Sequence, residues 1–251
     1  MRKLALTFMA LTLLNACKEE KKDTNPELTA AEEVNPHKES QMKEDWIVLF
    51  DGTSTDAWHE YGKDKDSFPE SWKIEDNALT FYPAEGEKHN IVTDQEFESF
   101  ELHIEWKISE GGNSGIMWGV QEMEQYNEPY FTGPEIQVLD NLRHPDAKIK
   151  GKTHQAGALY DMVEPSEDVT SPVGEWNTFV IRIDHKANQG SVIHNGVLIT
   201  EFPVHGEAWN TMVKDSKFAN WKDFGQFPKG KIALQDHSDK VSYRNIKIKK
   251  L

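Results

Sequence analysis

The sequence is poor in cysteine and carries fewer basic than acidic residues. One cysteine among 251 residues excludes a disulfide framework and a zinc site built on several thiolates. The 28 lysines and arginines are outnumbered by 43 aspartates and glutamates, which gives a formal net charge of −15. Because lysine and arginine supply much of the affinity for phosphate backbones, this charge argues against nucleic acid as a partner.

Long hydrophobic runs are also missing. The longest largely apolar segment, residues 4–14, would rise only about 16 Å as a helix, whereas the hydrocarbon core of a bilayer is about 30 Å thick. The segment follows Arg2 and Lys3 and ends shortly before the single cysteine, Cys17. A short apolar run with basic residues before it is typical of a signal peptide, so residues 1–16 are predicted to be a lipoprotein signal.

The residues around Cys17 resemble the lipobox of bacterial lipoproteins. Residues 14–17 read Leu-Asn-Ala-Cys, and only Asn15 departs from the usual small residue. The resemblance implies lipidation of Cys17 and a bacterial outer-membrane lipoprotein; an ordinary secretory signal is the alternative. Residues 18–45 hold no aromatic residue and many charges, so residues 17–45 are predicted to be the lipidated cysteine and a flexible tether. The membrane would be contacted through the lipid alone, and the Lys-Glu-Glu after the cysteine resembles an export tag for surface display.

Alternation of apolar and polar residues dominates the rest of the chain. In residues 100–108 five apolar side chains alternate with four polar ones, the pattern of a strand with one buried face. Similar patterns occupy residues 135–139, 176–184, 191–199, 231–237 and 241–249. Asn195-Gly196 and Asp76-Asn77 are turn pairs, and residues 207–216 are the one helix candidate. We therefore predict an all-β fold, an antiparallel β-sandwich of the jelly-roll type, with one short helix and long rim loops, as a single domain over residues 46–251.

The parity of each strand predicts which polar side chains face outward. Glu135 and Gln137 alternate with two apolar residues, and Gln235 and His237 do the same on a later strand. Because side chains i and i+2 share a face about 7 Å apart, each pair could contact one small ligand. Solvent-facing strand residues are the alternative for both pairs.

Three other features are predicted to be structural. Asp236 has core parity, and a buried carboxylate needs a partner, for which Arg244 on the next strand is the candidate. The glutamates and histidine of residues 101–105 are expected to form a solvated face and not a metal site. The aromatic-rich residues 209–227 are expected to cover a sheet edge, the alternative being a cleft wall or lid.

Seven short blocks occur in an order typical of one bacterial family. They read Trp-Ile-Val-Leu-Phe-Asp-Gly at 46–52, Gly-Asn-Ser-Gly-Ile at 112–116, Gly-Pro-Glu-Ile-Gln-Val-Leu-Asp at 133–140, Ala-Gly-Ala-Leu-Tyr at 156–160, Glu-Trp-Asn at 175–177, Leu-Gln-Asp-His at 234–237 and Tyr-Arg-Asn-Ile at 243–246. Together they resemble the 3-keto-disaccharide hydrolase family. The resemblance implies a concanavalin A-like jelly roll that cleaves 3-keto-glycosides in carbohydrate catabolism. Gly119 departs from the basic or imidazole residue that many members carry there.

The implied reaction indicates which residue types the site needs. A ketone at C3 acidifies the proton on C2, and its removal as an enolate lets the C1 substituent leave; water then adds, for net hydrolysis. Such a site needs a base, hydrogen-bond donors at the C3 oxygen and a sugar-shaped cleft. Glu135 and His237 are the candidate catalytic residues, and which of them is the base stays open.

Other polar and aromatic residues are candidates for holding the sugar. They are Asn113, Ser114, Trp118, Gln137, Asp140, Tyr160 and Gln235. Asn113 and Ser114 lie in a glycine-rich turn where backbone and amide groups can approach a ligand. Trp118 and Tyr160 offer flat faces to a pyranose, with core packing as the alternative, and Asp140 could equally end the strand. No cofactor is expected, and a metal requirement is left open.

Two other functions fit the same pattern. Conventional glycoside hydrolases use two carboxyl groups about 5–9.5 Å apart, and Glu135-x-Gln137-x-x-Asp140 resembles their Glu-x-Asp-x-x-Glu strand with one carboxylate replaced. A non-catalytic carbohydrate-binding module would need only the aromatic platforms.

Overall fold

The computed structural model describes residues 46–83 and 89–251 as two antiparallel sheets packed face to face. The predicted signal peptide, the lipidated Cys17 and the tether lie outside these residues. The strands are β1 (Trp46–Phe50), β2 (Trp58–Glu60), β3 (Trp72–Glu75), β4 (Ala78–Phe81), β5 (Ile91–Thr93), β6 (Phe100–Ile108), β7 (Asn113–Val120), β8 (Glu135–Leu139), β9 (Asn177–Asp184), β10 (Gln189–His194), β11 (Val197–Phe202), β12 (Lys231–Leu234) and β13 (Val241–Lys250). A helix, α1 (Gly206–Lys214), and two 3-10 turns, Pro129–Phe131 and Pro145–Lys148, complete the described elements.

The strands divide into a larger and a smaller sheet. The larger has eight strands in the order β11-β10-β9-β6-β13-β4-β3, with β1 also paired to β13. The smaller has the order β2-β5-β12-β7-β8. The predicted all-β antiparallel sandwich with one short helix is confirmed. In the described part of the chain, no helix has both the length and the apolar character needed to cross a membrane.

Turn chemistry decides where the strands end. The predicted turn at Asn195-Gly196 is confirmed, and it divides the alternating residues 191–199 between β10 and β11: Asn195 has φ 48° and Gly196 has φ 86°. Such left-handed angles suit a two-residue hairpin turn. The predicted strand over residues 231–237 stops at Leu234, and α1 begins one residue before its predicted start.

The core lies between the two sheets. On β6 the residues alternate between buried and half-buried over the whole strand, as the sequence pattern predicts. Trp106 is fully buried and packs against Phe179 of β9 with ring centres 5.3 Å apart. Burying a large apolar side chain of this kind contributes about 1.5–3 kcal/mol, so these inward faces supply most of the stabilisation.

The smaller sheet differs from the larger one because it is covered on both sides. Every residue of β7 and β8 is buried. The segment after the second 3-10 turn binds along the edge of β8: the N–H groups of Gly157 and Tyr160 donate to the carbonyls of Gln137 and Glu135 at 2.9 and 3.0 Å. These loops enclose the polar face of the sheet.

Candidate active site

A cleft of about 360 Å³ lies over the polar face of the smaller sheet. It is lined by Asn113, Tyr130, Phe131, Glu135, Gln137, Tyr160, Lys217, Phe218, Trp221, Gln235 and His237. Its volume is near the lower end of the range of roughly 300–1,000 Å³ for small-molecule sites. Six of the nine residues predicted from the sequence as catalytic or substrate-binding are brought together here.

The floor of the cleft is built from three neighbouring strands. Glu135 and Gln137 project from β8, Asn113 from the start of β7, and Gln235 from the position directly after β12. All four side chains are buried although they face away from the core between the sheets. Strand parity therefore places these groups on one surface, and the covering loops desolvate them.

Gly115 makes room for the carboxyl group of Glu135. It lies on β7 opposite Gln137, next to the pair formed by Met117 and Glu135. A methyl group on Gly115 would overlap Oε1, Cδ and Cγ of Glu135. A glycine is thus required here for close approach and not for its backbone angles.

Burial raises the pKa of the Glu135 carboxyl to about 7. The positive charge of Lys217 opposes this rise, and the negative charge of Asp146 adds to it. A carboxyl group that titrates near neutrality can both accept and return a proton, which suits general acid–base catalysis.

The aromatic-rich segment both lines the cleft and packs in the core. Phe218 and Trp221 line the cleft, with ring centres 5.1 Å apart, whereas Trp209 and Phe224 are buried. Phe218 stacks on Phe224 with ring centres 3.8 Å apart, which fixes the wall to the core. The expectation that this segment only covers a sheet edge is therefore wrong, and the alternative of a cleft wall describes it better.

Three residues of the cleft were not predicted from the sequence, namely Tyr130, Phe131 and Lys217, and Lys217 is the charged one. Its ammonium lies 4.1 Å from the ring centre of Tyr160, and its backbone N–H donates to Oδ2 of Asp161 at 2.7 Å. Desolvation lowers the pKa of Lys217, and the charge of Glu135 opposes that effect. The only sequence signal is its position beside Phe218 in the aromatic segment.

His237 lies at one end of the cleft, where a cation could also be held. Nε2 of His237 is 3.5 Å from Nδ2 of Asn113. His144, His237 and Asp239 each offer a ligand atom, all within 4.8 Å of one another. However, Nδ1 of His144 accepts the N–H of Asp146 at 3.1 Å, which leaves the proton of a neutral ring on Nε2. A metal ion would therefore bind His144 only after this hydrogen bond broke.

Three predicted substrate contacts lie outside the cleft. Ser114 points into the core, where its Oγ donates to the carbonyl of Gln235 and hydrogen-bonds the Tyr243 hydroxyl, both at 2.7 Å. Trp118 shares that parity, is buried, and stacks on Phe202 with ring centres 5.7 Å apart, so it offers no face to a sugar. Asp140 accepts the N–H groups of Gly111 and Leu142 and therefore shapes a turn.

The predicted ion pair between Asp236 and Arg244 is wrong. Asp236 accepts the backbone N–H groups of His89 and Ser238 at 2.9 and 2.8 Å. Arg244 instead donates from Nε to Oε2 of Glu105 at 2.7 Å. Backbone donors from the turn after β12 and from the residues before β5 satisfy the buried carboxylate without a cation.

A larger hollow of about 900 Å³ lies at the other end of the smaller sheet and is rich in carboxylates. Three of its five carboxylates already have partners: Glu122 pairs with His59 at 3.1 Å and Lys231 at 3.0 Å, Glu60 pairs with His89 at 2.8 Å, and Glu128 accepts Nδ2 of Asn90 at 2.7 Å. Such pairs stabilise loops and leave few groups for a ligand, so the smaller cleft is the better candidate.

Comparisons with known proteins agree with the geometry. Residues 45–249 match the family model of the 3-keto-alpha-glucoside-1,2-lyase-like domain. A protein named 3-keto-disaccharide hydrolase from Bacteroides thetaiotaomicron is 35% identical over 233 residues, which cover 82% of this chain and 78% of that one.

Solved structures give the same fold. A crystal structure from Parabacteroides distasonis, provisionally named a glycosyl hydrolase, has a TM-score of 0.75 and 30% identity, covering 85% of this chain and 97% of that one. A second one from that organism, named in the same way, has a TM-score of 0.61 and 25% identity, covering 82% and 99%.

Proposed function

The chain belongs to the family of the 3-keto-alpha-glucoside-1,2-lyase-like domain, and on that basis we propose that it cleaves 3-keto-disaccharides and related 3-keto-glycosides. The observation that carries the proposal is Glu135, a buried carboxyl group with a pKa of about 7 on the floor of the cleft. The name of the Bacteroides thetaiotaomicron relative supports the substrate class.

The proposed reaction begins with proton transfer to Glu135. Its carboxylate takes the proton from C2, and the C2–H electron pair moves into an enolate on the C3 oxygen. The enolate then expels the C1 substituent, whose oxygen takes a proton from the site, with His237 the candidate acid. Addition of water across the resulting double bond gives net hydrolysis. Proton transfer by a positioned group of this kind contributes typically 10²–10⁴-fold to the rate.

The polar floor has hydrogen-bonding capacity left for a sugar. Within the described residues, Oδ1 of Asn113 and Oε1 of Gln235 are buried and have no hydrogen-bond partner. Buried polar atoms are normally satisfied, so hydroxyl groups of a bound sugar are suitable donors for both. Trp221 on the wall can pack against the apolar face of a pyranose, whereas the ring of Tyr160 already contacts His154 and the ammonium of Lys217.

A conventional glycoside hydrolase is less well supported. That mechanism needs two carboxyl groups about 5–9.5 Å apart. Among the described residues that line the cleft, Glu135 is the single carboxyl group, and Asp140, the other member of the sequence pattern, shapes a turn outside it.

The experiment that tests the proposal is a comparison of oxidised and unoxidised substrates. The purified protein, incubated with a 3-keto-glucoside, should release the aglycone, and the parent glucoside should remain intact. Release from the parent glucoside alone would support the conventional mechanism. Tight binding of unmodified glycans by calorimetry, with no turnover of either substrate, would support a binding module.

We also propose that the protein is exported and anchored through Cys17, because the residues before it resemble a lipobox. Metabolic labelling with a radioactive fatty acid in the native bacterium should mark the protein, and Cys17→Ser should remove the label. Labelled Cys17→Ser protein, or unlabelled wild type in the soluble fraction, would contradict the anchor.

A further inference from the structure

We propose that Lys217 is a catalytic residue that stabilises the enolate oxygen formed at C3 of the sugar. This inference rests on the proposed function and adds a group that neither the motifs nor the family name assigns. Among the described residues that line the cleft, Lys217 is the one lysine or arginine. An enolate needs a positive charge or several donors aimed at its oxygen, and stabilisation of this kind is usually the largest single contribution to catalysis.

The reaction moves a negative charge within reach of this ammonium. Before proton transfer, the carboxylate of Glu135 is the negative group in the cleft, and Lys217 is the main group that favours its ionised form. After Glu135 takes the C2 proton, the charge lies on the sugar oxygen instead. Because Lys217 faces the same cleft, it can pair with either oxygen, and the number of charges inside the cleft stays constant during the step.

The backbone of Lys217 is held in place by a hydrogen bond to the buried Asp161. Asp161 accepts the N–H of Lys217 and the ammonium of Lys150 at Oδ2, at 2.7 and 3.1 Å, and its Oδ1 meets Nε2 of His154 at 3.0 Å. The ring of His154 packs on Tyr160 with centres 4.3 Å apart. Asp161 therefore holds the backbone of Lys217 and, through His154, the ring of Tyr160. A group that stabilises a developing charge must be positioned before the reaction in this way.

Lys217 is an exposed residue overall although its ammonium lies in the cleft, so its replacement should leave the fold intact. The test compares wild type, Lys217→Met, Lys217→Arg and Lys222→Met on a 3-keto-glucoside, with kcat, KM and the pH profile of kcat/KM as readouts. Lys222 is an exposed lysine of the same segment that does not line the cleft, and serves as the matched control. Thermal midpoints check folding; if Lys217→Met is unstable, Lys217→Gln removes the same charge.

The expected result is a loss of about 100-fold in kcat for Lys217→Met, the typical cost of removing one oxyanion donor, with a much smaller change in KM. The limb of the pH profile that reports Glu135 should move to higher pH, because its pKa loses an opposing positive charge. Lys217→Arg should recover part of the rate, and Lys222→Met should match wild type.

Two results would overturn the inference while leaving the proposed function in place. One is a kcat for Lys217→Met close to wild type. The other is a loss confined to KM with an unmoved pH profile, which would make Lys217 a wall residue only. If wild type itself fails to cleave the 3-keto-glucoside, the proposed function fails, and the inference fails with it.

Discussion

The two sheets carry similar alternating sequences but expose their polar faces differently. On β6 of the larger sheet, the outward side chains of Glu101, His103 and Glu105 are half-buried and paired with neighbouring charged groups. On β8 of the smaller sheet, the outward Glu135 and Gln137 are 7% and 1% exposed. Alternation thus predicts which face of the sheet a side chain lies on, and the loops that cover this face determine whether the side chain is exposed to solvent.

This difference in exposure affects both stability and function. A half-exposed ion pair costs little and contributes little, whereas a buried carboxyl group is costly unless it is protonated or paired. The smaller sheet holds such a group where a cleft opens above it. The polar face of the smaller sheet is thus the one suited to chemistry, and matched substitutions on the two sheets should separate effects on activity from effects on stability.

The largest expected effect comes from Glu135→Gln. Loss of the base should lower kcat on a 3-keto-glucoside by about 1,000-fold, within the range for a general acid or base. Glu101→Gln on the outward face of β6 is the control and should leave kcat unchanged. Full activity in Glu135→Gln would remove Glu135 from the mechanism.

The next prediction compares two glycines at which an added methyl group would overlap a neighbouring side chain. Gly115→Ala should displace the Glu135 carboxyl and lower kcat by about 100-fold, since misplacement of about 1 Å can cost that much. In the larger sheet, Gly190→Ala would overlap the ring of Phe202, so it should lower the thermal midpoint and keep kcat in the protein that remains folded. A lower kcat in folded Gly190→Ala, or an unchanged kcat in Gly115→Ala, would contradict this difference between the sheets.

A third effect is the pH dependence of stability. Burial raises the pKa of Glu135 to about 7 in the folded protein, above its unfolded value of about 4.3. The folded state therefore holds the proton more tightly, and this group's contribution to stability falls as pH rises through that interval. Between pH 5 and pH 8, wild type should lose about 2 kcal/mol of unfolding free energy relative to Glu135→Gln.

Urea unfolding at both pH values measures this difference, with Glu101→Gln expected to follow wild type. Parallel pH dependences of wild type and Glu135→Gln would mean that the carboxyl group is already ionised at pH 5.

The smallest effect is expected on the larger sheet. Glu105→Gln removes the charge partner of Arg244, but both side chains are partly exposed. The loss of unfolding free energy in urea should stay below about 1 kcal/mol, and kcat should not change. A loss of unfolding free energy as large as that for breaking a buried ion pair would show that the larger sheet also depends on its polar face for stability.

The sequence predicts the floor of the site better than its walls. Strand bounds over Phe100–Ile108 and Glu135–Leu139 follow from alternation, and the same rule brings Gln137 and Gln235 to one face. Parity was also sufficient to place Trp118 in the core, since it has the opposite parity to Asn113 on β7. The prediction that Trp118 is a sugar platform rested on its residue type and ignored its position in the strand.

The walls could not be predicted in the same way. Lys217 and Trp221 reach the cleft through loop packing, which depends on the hydrogen bond to Asp161 and on stacking around Phe218. Neither contact leaves a periodic signal, because the hydrogen bond joins residues 56 apart in the chain and the ring contact lies outside any regular helix or strand. Asp236 likewise accepts the N–H of His89, which is far away in the chain, where an arginine was expected.

The central claim, that Glu135 removes the C2 proton of a 3-keto sugar, is tested most directly with a substrate labelled with deuterium at C2. Mass spectrometry of the released sugar, corrected for exchange without enzyme, should show deuterium lost to solvent in wild type, with cleavage and exchange both slowed by about 1,000-fold in Glu135→Gln. Cleavage by wild type with full retention of the C2 deuterium would contradict the account.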